Sequence, residues 1–444
     1  MKFIFINIFF TLLLAFSSKA QDSSFKKWSV HFQLTLIAQK HSGFKSLYSG
    51  MNSLADSVEP SATSLTSTLF IGRKLWRGAI LYFNPEVSGG KGLSYTRGVA
   101  GALNGETYRV GSVEPQVFVA RAFLQQYIAL PNTQYEYVTD DANQAAGKTP
   151  VNRITITAGK FAISDFYDDN TYSKDPRTQF FNWSIWANGA WDYPANTRGY
   201  TEGLVIELIK RQWAIRLSSV AVPRIANYHL MEYKLFKAHS ETLEFEHDFS
   251  LFKRPGRLRL FVSNTNEKSL SYQEGLNALE NNNIFLLNII SGNAENNKYG
   301  GKKTGIGINA EQQLFKNTGM FIRCGWNDGK YVSWAFTEID NTVSFGFSTK
   351  GIAWKRPEDV FAIAAVTNGI SKLHRDFLKK GGYGFIIGDG DLNYGRESIV
   401  EMYYSAKAER FLWVTLDYQY LNNPAYNKDR GPVHVFGIRA HIEF

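Results

Sequence analysis

The chain ends in GPVHVFGIRAHIEF, residues 431–444, and this stretch decides the fold. A β-strand points successive side chains to opposite faces. One face of this stretch is apolar and carries Phe436, Ile438, Ala440, Ile442 and Phe444. The opposite face is largely polar and carries Val435, Gly437, Arg439, His441 and Glu443. A strand that is apolar outside, polar inside and ends on a phenylalanine is typical of the last strand of an outer-membrane β-barrel.

The same alternation recurs along the whole chain. It is clear in residues 28–36, 243–250, 400–407 and 412–420, and no linker or low-complexity segment interrupts it. Strands of about ten residues are longer than the five to six usual in soluble sheets. The sequence therefore predicts an all-β fold, a transmembrane antiparallel barrel with long extracellular loops. Sixteen strands would use about 26 residues each, and eighteen would also fit.

The beginning of the chain predicts export. Met1 and Lys2 form a short basic start, residues 3–16 are nearly all apolar, and Ser18-Lys19-Ala20 is a small-residue cleavage site. The alternative is a membrane-anchoring helix, but the apolar segment is short for a span and has no stop-transfer flank. We therefore expect residues 1–20 to be a cleaved signal peptide and residues 21–444 to form a single barrel domain.

Composition agrees with a barrel. Beyond residue 20 no apolar run approaches the roughly 18 residues of a spanning helix. The longest runs, 285–290 and 360–366, have the length of strands. The chain has 33 Phe, 23 Tyr and 10 Trp, enough for aromatic girdles at the two membrane interfaces. The single cysteine, Cys324, excludes an intrachain disulfide and lies on the apolar face of its predicted strand.

Two segments break the alternation and predict loop helices. Ile370, Leu373 and Phe377 have helical spacing, and Gly381-Gly382 would end that basic helix. A second helix is predicted within residues 272–282. Such loops would either fold inward and narrow the lumen or form a cap at the surface, and both arrangements fit the sequence.

The formal net charge is +9. Lys and Arg are scattered along the chain, whereas a nucleic-acid-binding protein concentrates them on one face. We therefore expect no nucleic-acid partner. For an exported protein the excess favours contacts with lipopolysaccharide or an arginine-lined pore.

Motifs of enzymes are missing from the sequence. It contains neither an HExxH zinc site nor a GxSxG nucleophile elbow. Residues 301–304, GKKT, lack the glycine that a phosphate-binding loop has before its Lys-Thr pair. Asp389 and Asp391 lie in the segment IIGDGDLNYG, in which an Asp-Gly pair more often forms a turn than an acid–base pair. We expect no enzyme activity and no cofactor.

Three aspartates lie close together in the segment SDFYDDN. Asp165, Asp168 and Asp169 have the oxygen ligands that calcium prefers, but not the spacing of an EF-hand loop. Solvated loop carboxylates are the alternative. We expect no metal site here.

Residues 180–201 are the richest segment in aromatic and polar side chains. Trp183, Trp186, Trp191 and Tyr193 lie among Asn182, Asn188, Asp192 and Arg198. Sugars stack their C–H faces on aromatic rings and offer hydroxyl groups to carboxylates, amides and guanidinium groups. The segment is therefore a candidate sugar-contacting surface. A membrane girdle or a lock for the loop remains the alternative reading.

At this segment the sequence resembles the carbohydrate-selective porin family, the OprB-like proteins. The similarity extends over residues 75–86, 158–180, 374–397 and 423–444, in the order of the family. The resemblance implies a monomeric 16-stranded barrel through which mono- and oligosaccharides diffuse passively. It also implies a channel narrowed by inward-folded extracellular loops and lined by charged residues, arginine prominent among them.

The resemblance and the alternation together supply candidate residues for the sugar pathway or for locking its loops. The matched segments contribute Asp165, Asp168, Arg177, Trp183, Trp186, Asp192 and Arg198. The inward faces of predicted strands contribute Glu207, Arg216, Glu244, Arg323, Asp417 and Arg439. Most of these are expected to be wall residues held by mutual ion pairs, and replacing Arg198 or Arg216 by Ala is expected to change conductance or sugar block.

Phe444 is the candidate signal for the barrel-assembly machinery, and the expected location is the outer membrane of a Gram-negative bacterium, in contact with lipid and lipopolysaccharide. Three alternatives compete with a sugar-selective porin. A non-selective general porin has the same fold. A soluble secreted glycan-binding β protein would not need the membrane, and an outer-membrane hydrolase would need a catalytic nucleophile.

Overall fold

The structure, a computed structural model, describes residues 27–444. Its main body is a closed antiparallel barrel of sixteen strands, so the predicted fold class is confirmed. The predicted signal peptide, residues 1–20, lies outside the described residues. The barrel strands are β1 (Trp28–His41), β2 (Ala62–Lys74), β3 (Ala79–Gly90), β4 (Gln116–Ala129), β7 (Arg153–Phe161), β8 (Thr201–Ile209), β9 (Trp213–Val220), β12 (His239–Leu251), β13 (Arg254–Glu267), β14 (Gly301–Phe315), β15 (Thr318–Asn327), β16 (Asn341–Gly351), β17 (Arg356–Gly369), β18 (Glu397–Glu409), β19 (Leu412–Asn422) and β20 (Val433–Glu443).

Four further strands form two small hairpins outside the barrel sheet. They are β5 (Tyr135–Val138) with β6 (Gly147–Pro150), and β10 (Val222–Pro223) with β11 (Met231–Glu232).

The barrel closes where the last strand pairs with the first. Phe32 N donates to the carbonyl of Phe444 at 2.9 Å, and Phe444 N donates to that of Phe32 at 3.1 Å. The two rings lie 5.3 Å apart. Closure leaves neither β1 nor β20 with an unpaired edge, which is how a sheet satisfies its backbone in lipid.

The two faces of β20 are as predicted. Phe436 and Ile438 are exposed on the outer surface, 56% and 48% respectively, whereas Arg439 and His441 are buried inside the barrel. Cys324 is a half-buried free thiol.

The two ends of the barrel differ in the length of their connections. Long extracellular loops and short periplasmic turns are the rule for such barrels, which places both termini at the periplasmic end. The extracellular loops discussed below are L2 (91–115), L3 (162–200), L5 (268–300), L6 (328–340) and L7 (370–396).

The α-helices of the described residues lie in these loops. They are α1 (Thr107–Val110), α2 (Trp183–Trp186), α3 (Tyr272–Glu280), α4 (Ile284–Ile290) and α5 (Lys372–Lys379). The two helices predicted in residues 272–282 and 370–380 are confirmed. Within residues 27–444 no helix is both long enough and apolar enough to cross a membrane.

The apolar run at residues 285–290, which has the length of a strand, lies in helix α4. The side chain of Asn283 accepts a hydrogen bond from Leu286 N and caps this helix. Ile289 and Ile290 are buried against the other loops. A short apolar run does not distinguish a buried strand from a buried helix, and here the cap and the loop packing select the helix.

The largest buried apolar cluster consists mainly of loop side chains inside the barrel. Trp183, Trp191 and Tyr193 of L3 pack with Phe336 of L6 and Phe377 of L7. The inward faces of barrel strands are largely polar, so the loops provide much of the apolar core. L3 therefore folds inward, and the surface-cap alternative does not apply to it.

We predict that deleting Phe444 weakens barrel closure. The deletion removes both backbone hydrogen bonds to Phe32 and the ring contacts with Phe32 and Phe411. Two hydrogen bonds contribute about 2 kcal/mol net, so the heat-induced mobility shift on gels should occur at a lower temperature. Phe444→Tyr keeps the backbone and the ring and is the control. An unchanged transition in the deletion variant would contradict this role.

Candidate functional site

L3 crosses the barrel interior, and Asp168 is its main attachment to the wall. Its carboxylate accepts from Arg323 Nε at 3.0 Å and Asn309 Nδ2 at 2.7 Å, both on barrel strands. The other carboxylate oxygen accepts from Asn188 N at 2.8 Å, within L3 itself. The backbone N–H of Asp168 donates to the Glu244 carboxylate at 2.8 Å. Through its carboxylate and its backbone N–H, Asp168 thus fixes the loop to three strands, β12, β14 and β15.

Arg323 also binds the L3 backbone directly. Its guanidinium donates to the carbonyls of Ile185 at 3.0 Å and Ser173 at 2.6 Å. The pairing satisfies loop carbonyls that would otherwise be buried without a partner, at a cost of roughly 1–3 kcal/mol each. The sequence predicts Asp168 and Arg323 as separate candidate residues. In the structure they form one ion pair.

The middle of L3 is fixed to β18 and β20. Glu401 accepts from the N–H groups of Phe181 at 2.5 Å and Asn182 at 3.0 Å. Arg439 donates to the carbonyls of Pro176 and Gln179, both at 2.7 Å. The loop is therefore held on opposite sides of the barrel.

L2 pairs with L3 through backbone hydrogen bonds. Trp183 N donates to the carbonyl of Ala102 at 3.0 Å, and Gly105 N donates to that of Phe181 at 2.8 Å. A side chain at Gly105 would lie 2.3 Å from the Trp186 ring nitrogen, so glycine permits this close approach. The two loops form one unit that narrows the lumen.

Where L2 and L3 approach β2, β3 and β4, charged side chains gather. We call this set the constriction cluster. Its members are Glu86, Glu106, Arg109, Arg121, Asp165, Arg177 and Tyr200.

Arg177 is at the centre of the constriction cluster. Its guanidinium lies 3.1 Å from the carboxylates of both Glu86 and Glu106. Arg109 lies 3.3 Å from Glu106 and donates to the Tyr200 hydroxyl at 3.1 Å. The Tyr200 hydroxyl in turn donates to Glu86 at 3.0 Å. Strand β3 and the two loops thus contribute to one continuous polar network.

Arg121 and Asp165 complete the constriction cluster as a two-pronged ion pair with both distances 2.7 Å. Burial would raise the pKa of Asp165, but the adjacent Arg121 outweighs burial and holds that pKa below its ordinary value. Both charges therefore persist at neutral pH. Such bidentate pairs fix the orientation of both planar groups.

Cavities lie on both sides of the cluster. The periplasmic one measures about 910 Å³, and Arg177, Tyr172, Arg257, Trp413 and Arg439 are among its lining residues. The extracellular one measures about 360 Å³ and is lined in part by Thr107 and Tyr108, next to Arg109 in the chain. The constriction cluster thus lies between an outer and an inner chamber.

Three residues predicted from the aromatic segment lie within the loops. Trp183 and Trp186 are buried in the apolar cluster. Asp192 accepts from the backbone N–H groups of Trp334 at 2.8 Å and Ala335 at 3.0 Å in L6. These positions favour the alternative in which the aromatic segment locks the loop.

Other predicted residues lie on the barrel wall. Arg216 contacts Glu207 at 3.0 Å, Glu244 at 3.0 Å and Glu246 at 3.2 Å, which is the expected wall of mutual ion pairs. Asp417 accepts from Gln419 at 3.2 Å. Arg323 and Arg439 lie on this wall as well, and both bind L3.

Arg198 lies near the constriction cluster but outside its network. It donates to Gln116 at 2.5 Å and its guanidinium carbon lies 3.9 Å from the centre of the Phe118 ring.

Of the thirteen sequence-predicted residues, the structure places Asp165 and Arg177 in the cluster. Sequence reasoning missed Glu86, Glu106, Arg109, Arg121 and Tyr200.

The three aspartates of the SDFYDDN segment are paired with cations from the protein. Asp165 pairs with Arg121, Asp168 with Arg323, and Asp169 with Lys174 at 2.6 Å. Within residues 27–444 no three His, Cys, Asp or Glu side chains are grouped to hold a metal ion.

Comparison with known proteins agrees with this geometry. The family described as carbohydrate-selective porin, OprB family, matches residues 67–444. The chain belongs to this family. The resemblance found in the sequence is thereby confirmed, and the protein is a carbohydrate-selective porin by family.

Solved structures support the fold. OprB of Pseudomonas putida, in its high-pH structure, has a TM-score of 0.65 and 15% identity, over 96% of this chain and 100% of that chain. The outer-membrane channel DcaP of Acinetobacter baumannii has a TM-score of 0.50 and 8% identity, over 95% and 100%. A search of the curated proteins found no match. At these identities the likeness concerns the fold alone.

A buried histidine joins three extracellular loops of this porin. His374 of L7 lies 3.2 Å from Asp340 and 3.4 Å from Glu338, both in L6. Its ring stacks on Tyr272 of L5 at 4.2 Å. Burial alone would lower the pKa of His374, but the two carboxylates outweigh burial and raise it. Burial would raise the pKa of Asp340, but His374 and Lys303 lower it.

We predict that the L5–L7 contact loosens as pH rises. The charged imidazole contributes its full stabilisation below its unfolded pKa of about 6.5, and this contribution is lost as pH rises through the raised folded pKa. Trypsin cleavage at Lys379 and Lys380, corrected for the pH dependence of trypsin, should be slower at pH 6 than at pH 9. His374→Gln should abolish the difference. Equal protection of the native porin at both pH values would refute the prediction.

We predict that Arg323→Met releases L3 from the wall. The change leaves the Asp168 carboxylate buried without its cation, which costs about 3–5 kcal/mol. Proteolysis within L3, at Lys174 and Arg177, should become faster, and the single-channel current should become noisier. Arg410→Met, at an exposed position of a periplasmic turn, is the control. L3 that stayed resistant in the Arg323 variant would show that the ion pair does not anchor it.

Proposed function

We propose that small sugars cross this porin through the constriction cluster, by passive diffusion from the outer chamber to the inner one. The observation that supports this path is the position of the cluster between the two cavities. Thr107 and Tyr108 line the outer cavity, and Arg177 lines the inner one. Arg109 and Glu106 connect them.

The chemistry of the cluster suits sugar hydroxyl groups. A hydroxyl both donates and accepts hydrogen bonds, so it can donate to Glu86 or Glu106 while it accepts from an arginine. Arg121 Nη1 is buried and donates no hydrogen bond to any group within residues 27–444. It is the donor we expect a passing hydroxyl to use. Neighbouring charges of opposite sign favour a neutral polar solute over a simple ion.

Binding at the cluster should be weak. Each guanidinium and carboxylate already has a partner, so a sugar exchanges one hydrogen bond for another instead of filling an empty site. A channel substrate must bind well enough to enter and weakly enough to leave. Selectivity then comes from the width and polarity of the path, with no cofactor, energy coupling or catalysis.

We further propose that the protein resides in the outer membrane of a Gram-negative bacterium. The supporting observations are its family, its barrel and the exposed apolar side chains around the barrel. Residues 1–20 would direct export, residues 21–444 would form one domain, and Phe444 would engage the assembly machinery. The monomeric state implied by the resemblance also stays a prediction, which light scattering in detergent would check. Lipopolysaccharide would contact the outer rim.

We predict that glucose reduces the single-channel current of the reconstituted protein in a saturable way, and that Arg109→Gln weakens the block. Loss of a charge-assisted hydrogen bond should raise the half-blocking concentration about tenfold. Titration with glucose, maltose and a larger oligosaccharide would rank the substrates.

Arg410→Gln, at a periplasmic turn, is the matched control and should behave as wild type. A current that no sugar reduces would instead support the general-porin alternative. Sugar block that is equal in wild type and Arg109→Gln would remove Arg109 from the path.

A further inference from the structure

One periplasmic connection differs from the rest. The other six at this end have two to four residues, whereas the connection from β4 to β7, residues 130–152, has 23 and carries the hairpin β5–β6. Eight residues, Thr139–Ala146, link the two hairpin strands. We call these eight residues the periplasmic wedge, because they fold back into the barrel.

Hydrogen bonds hold the wedge against the inner wall. Asn84 Nδ2 donates to Asn143 Oδ1 at 2.8 Å, and Ala145 N donates to the Tyr82 hydroxyl at 3.2 Å. Asn84 and Tyr82 both face inward on β3 and are buried. Ala145 is itself buried and belongs to the main apolar cluster.

Further contacts fix the sides of the wedge. The His31 ring nitrogen on β1 lies 3.6 Å from the Asp140 carboxylate, and Lys74 at the end of β2 donates to the carbonyl of Ala146. At its tip, Asp141 and Gln144 exchange two backbone hydrogen bonds of 2.9 Å each. The wedge is therefore a compact turn attached to three successive strands.

The wedge lies directly beneath the constriction cluster. Asn84, which it contacts, and Glu86, which binds Arg177, are successive inward residues of β3. Two residues of a strand span about 6.6 Å. L2 and L3 approach Glu86 from the extracellular side, and the wedge approaches Asn84 from the periplasmic side.

We propose that the periplasmic wedge is a specificity-determining element that narrows the channel from below. Solute leaving the cluster along the β1–β3 wall meets the wedge and must turn toward the inner chamber, which is lined by L3 and the opposite strands, β12 to β20. The wedge thereby limits the size of the sugar that can pass. This inference rests on the proposed path through the constriction cluster.

The direct test is to shorten the wedge. Val138 and Gly147 are cross-strand partners, so replacing Thr139–Ala146 by Asn-Gly joins the hairpin with a favoured two-residue turn. We expect single-channel conductance, measured without sugar, to rise at least about 1.5-fold, and liposome swelling to become faster for a trisaccharide relative to glucose. Tyr137→Ala, on an exposed hairpin residue, should leave both unchanged.

A folded, heat-modifiable shortened variant with wild-type conductance and size preference would overturn the proposal. Single-channel conductance without sugar is independent of sugar binding, so it tests the wedge by itself. The proposed sugar path is tested separately, by the glucose titration of the wild type.

A second variant avoids shortening the chain. Asn143→Cys, labelled from the periplasmic side with a bulky thiol reagent, should lower the current, whereas labelling Tyr137→Cys should not. The wild type, whose one cysteine is Cys324, controls for labelling of the barrel wall. Complete labelling at position 143 without a change in current would overturn the proposal.

Discussion

The ion pair between Asp168 and Arg323 is the interaction on which the inner structure depends. A loop inside a barrel carries backbone groups away from bulk water, and each needs a hydrogen-bond partner. Arg323 supplies partners for three carbonyl groups of L3, including that of Asp168 itself. The pair also orients the segment that continues to Asn188. With L3 fixed, L2 can pair with it, and the arginines of both loops meet the carboxylates of β3 and L2.

The barrel and its interior obey different physical rules. The outside must be apolar and the backbone fully paired, which alternation and closure through Phe444 provide. The interior of the barrel is filled largely by loop side chains. These form an apolar cluster around Trp183 and a charged network around Arg177. The apolar cluster gives the loops rigidity. The charged network leaves a polar path along one wall, where a solute with many hydroxyl groups finds both donors and acceptors.

How far the sequence predicts this structure depends on the range of the interactions. The strands and the faces of Arg439 and His441 follow from a period of two, which is local information. The helices at residues 272–280 and 372–379 follow from helical spacing and stop signals. Glu106 and Arg109 lie at the one-turn helix α1 of L2, and their partners Arg177 and Tyr200 are 71 and 91 positions away. No periodicity marks such residues, so the constriction cluster emerged only from the folded chain. The family resemblance predicted the kind of residue, arginine, but selected only Asp165 and Arg177 from the cluster.

Sugar passage through the constriction cluster is tested most directly by a crystal structure of the porin soaked in glucose at high concentration. We predict electron density for one sugar ring against the constriction cluster, with hydroxyl groups within hydrogen-bond distance of both an arginine and a carboxylate. Well-ordered sugar elsewhere in the lumen, with the cluster unchanged and unoccupied, would contradict it.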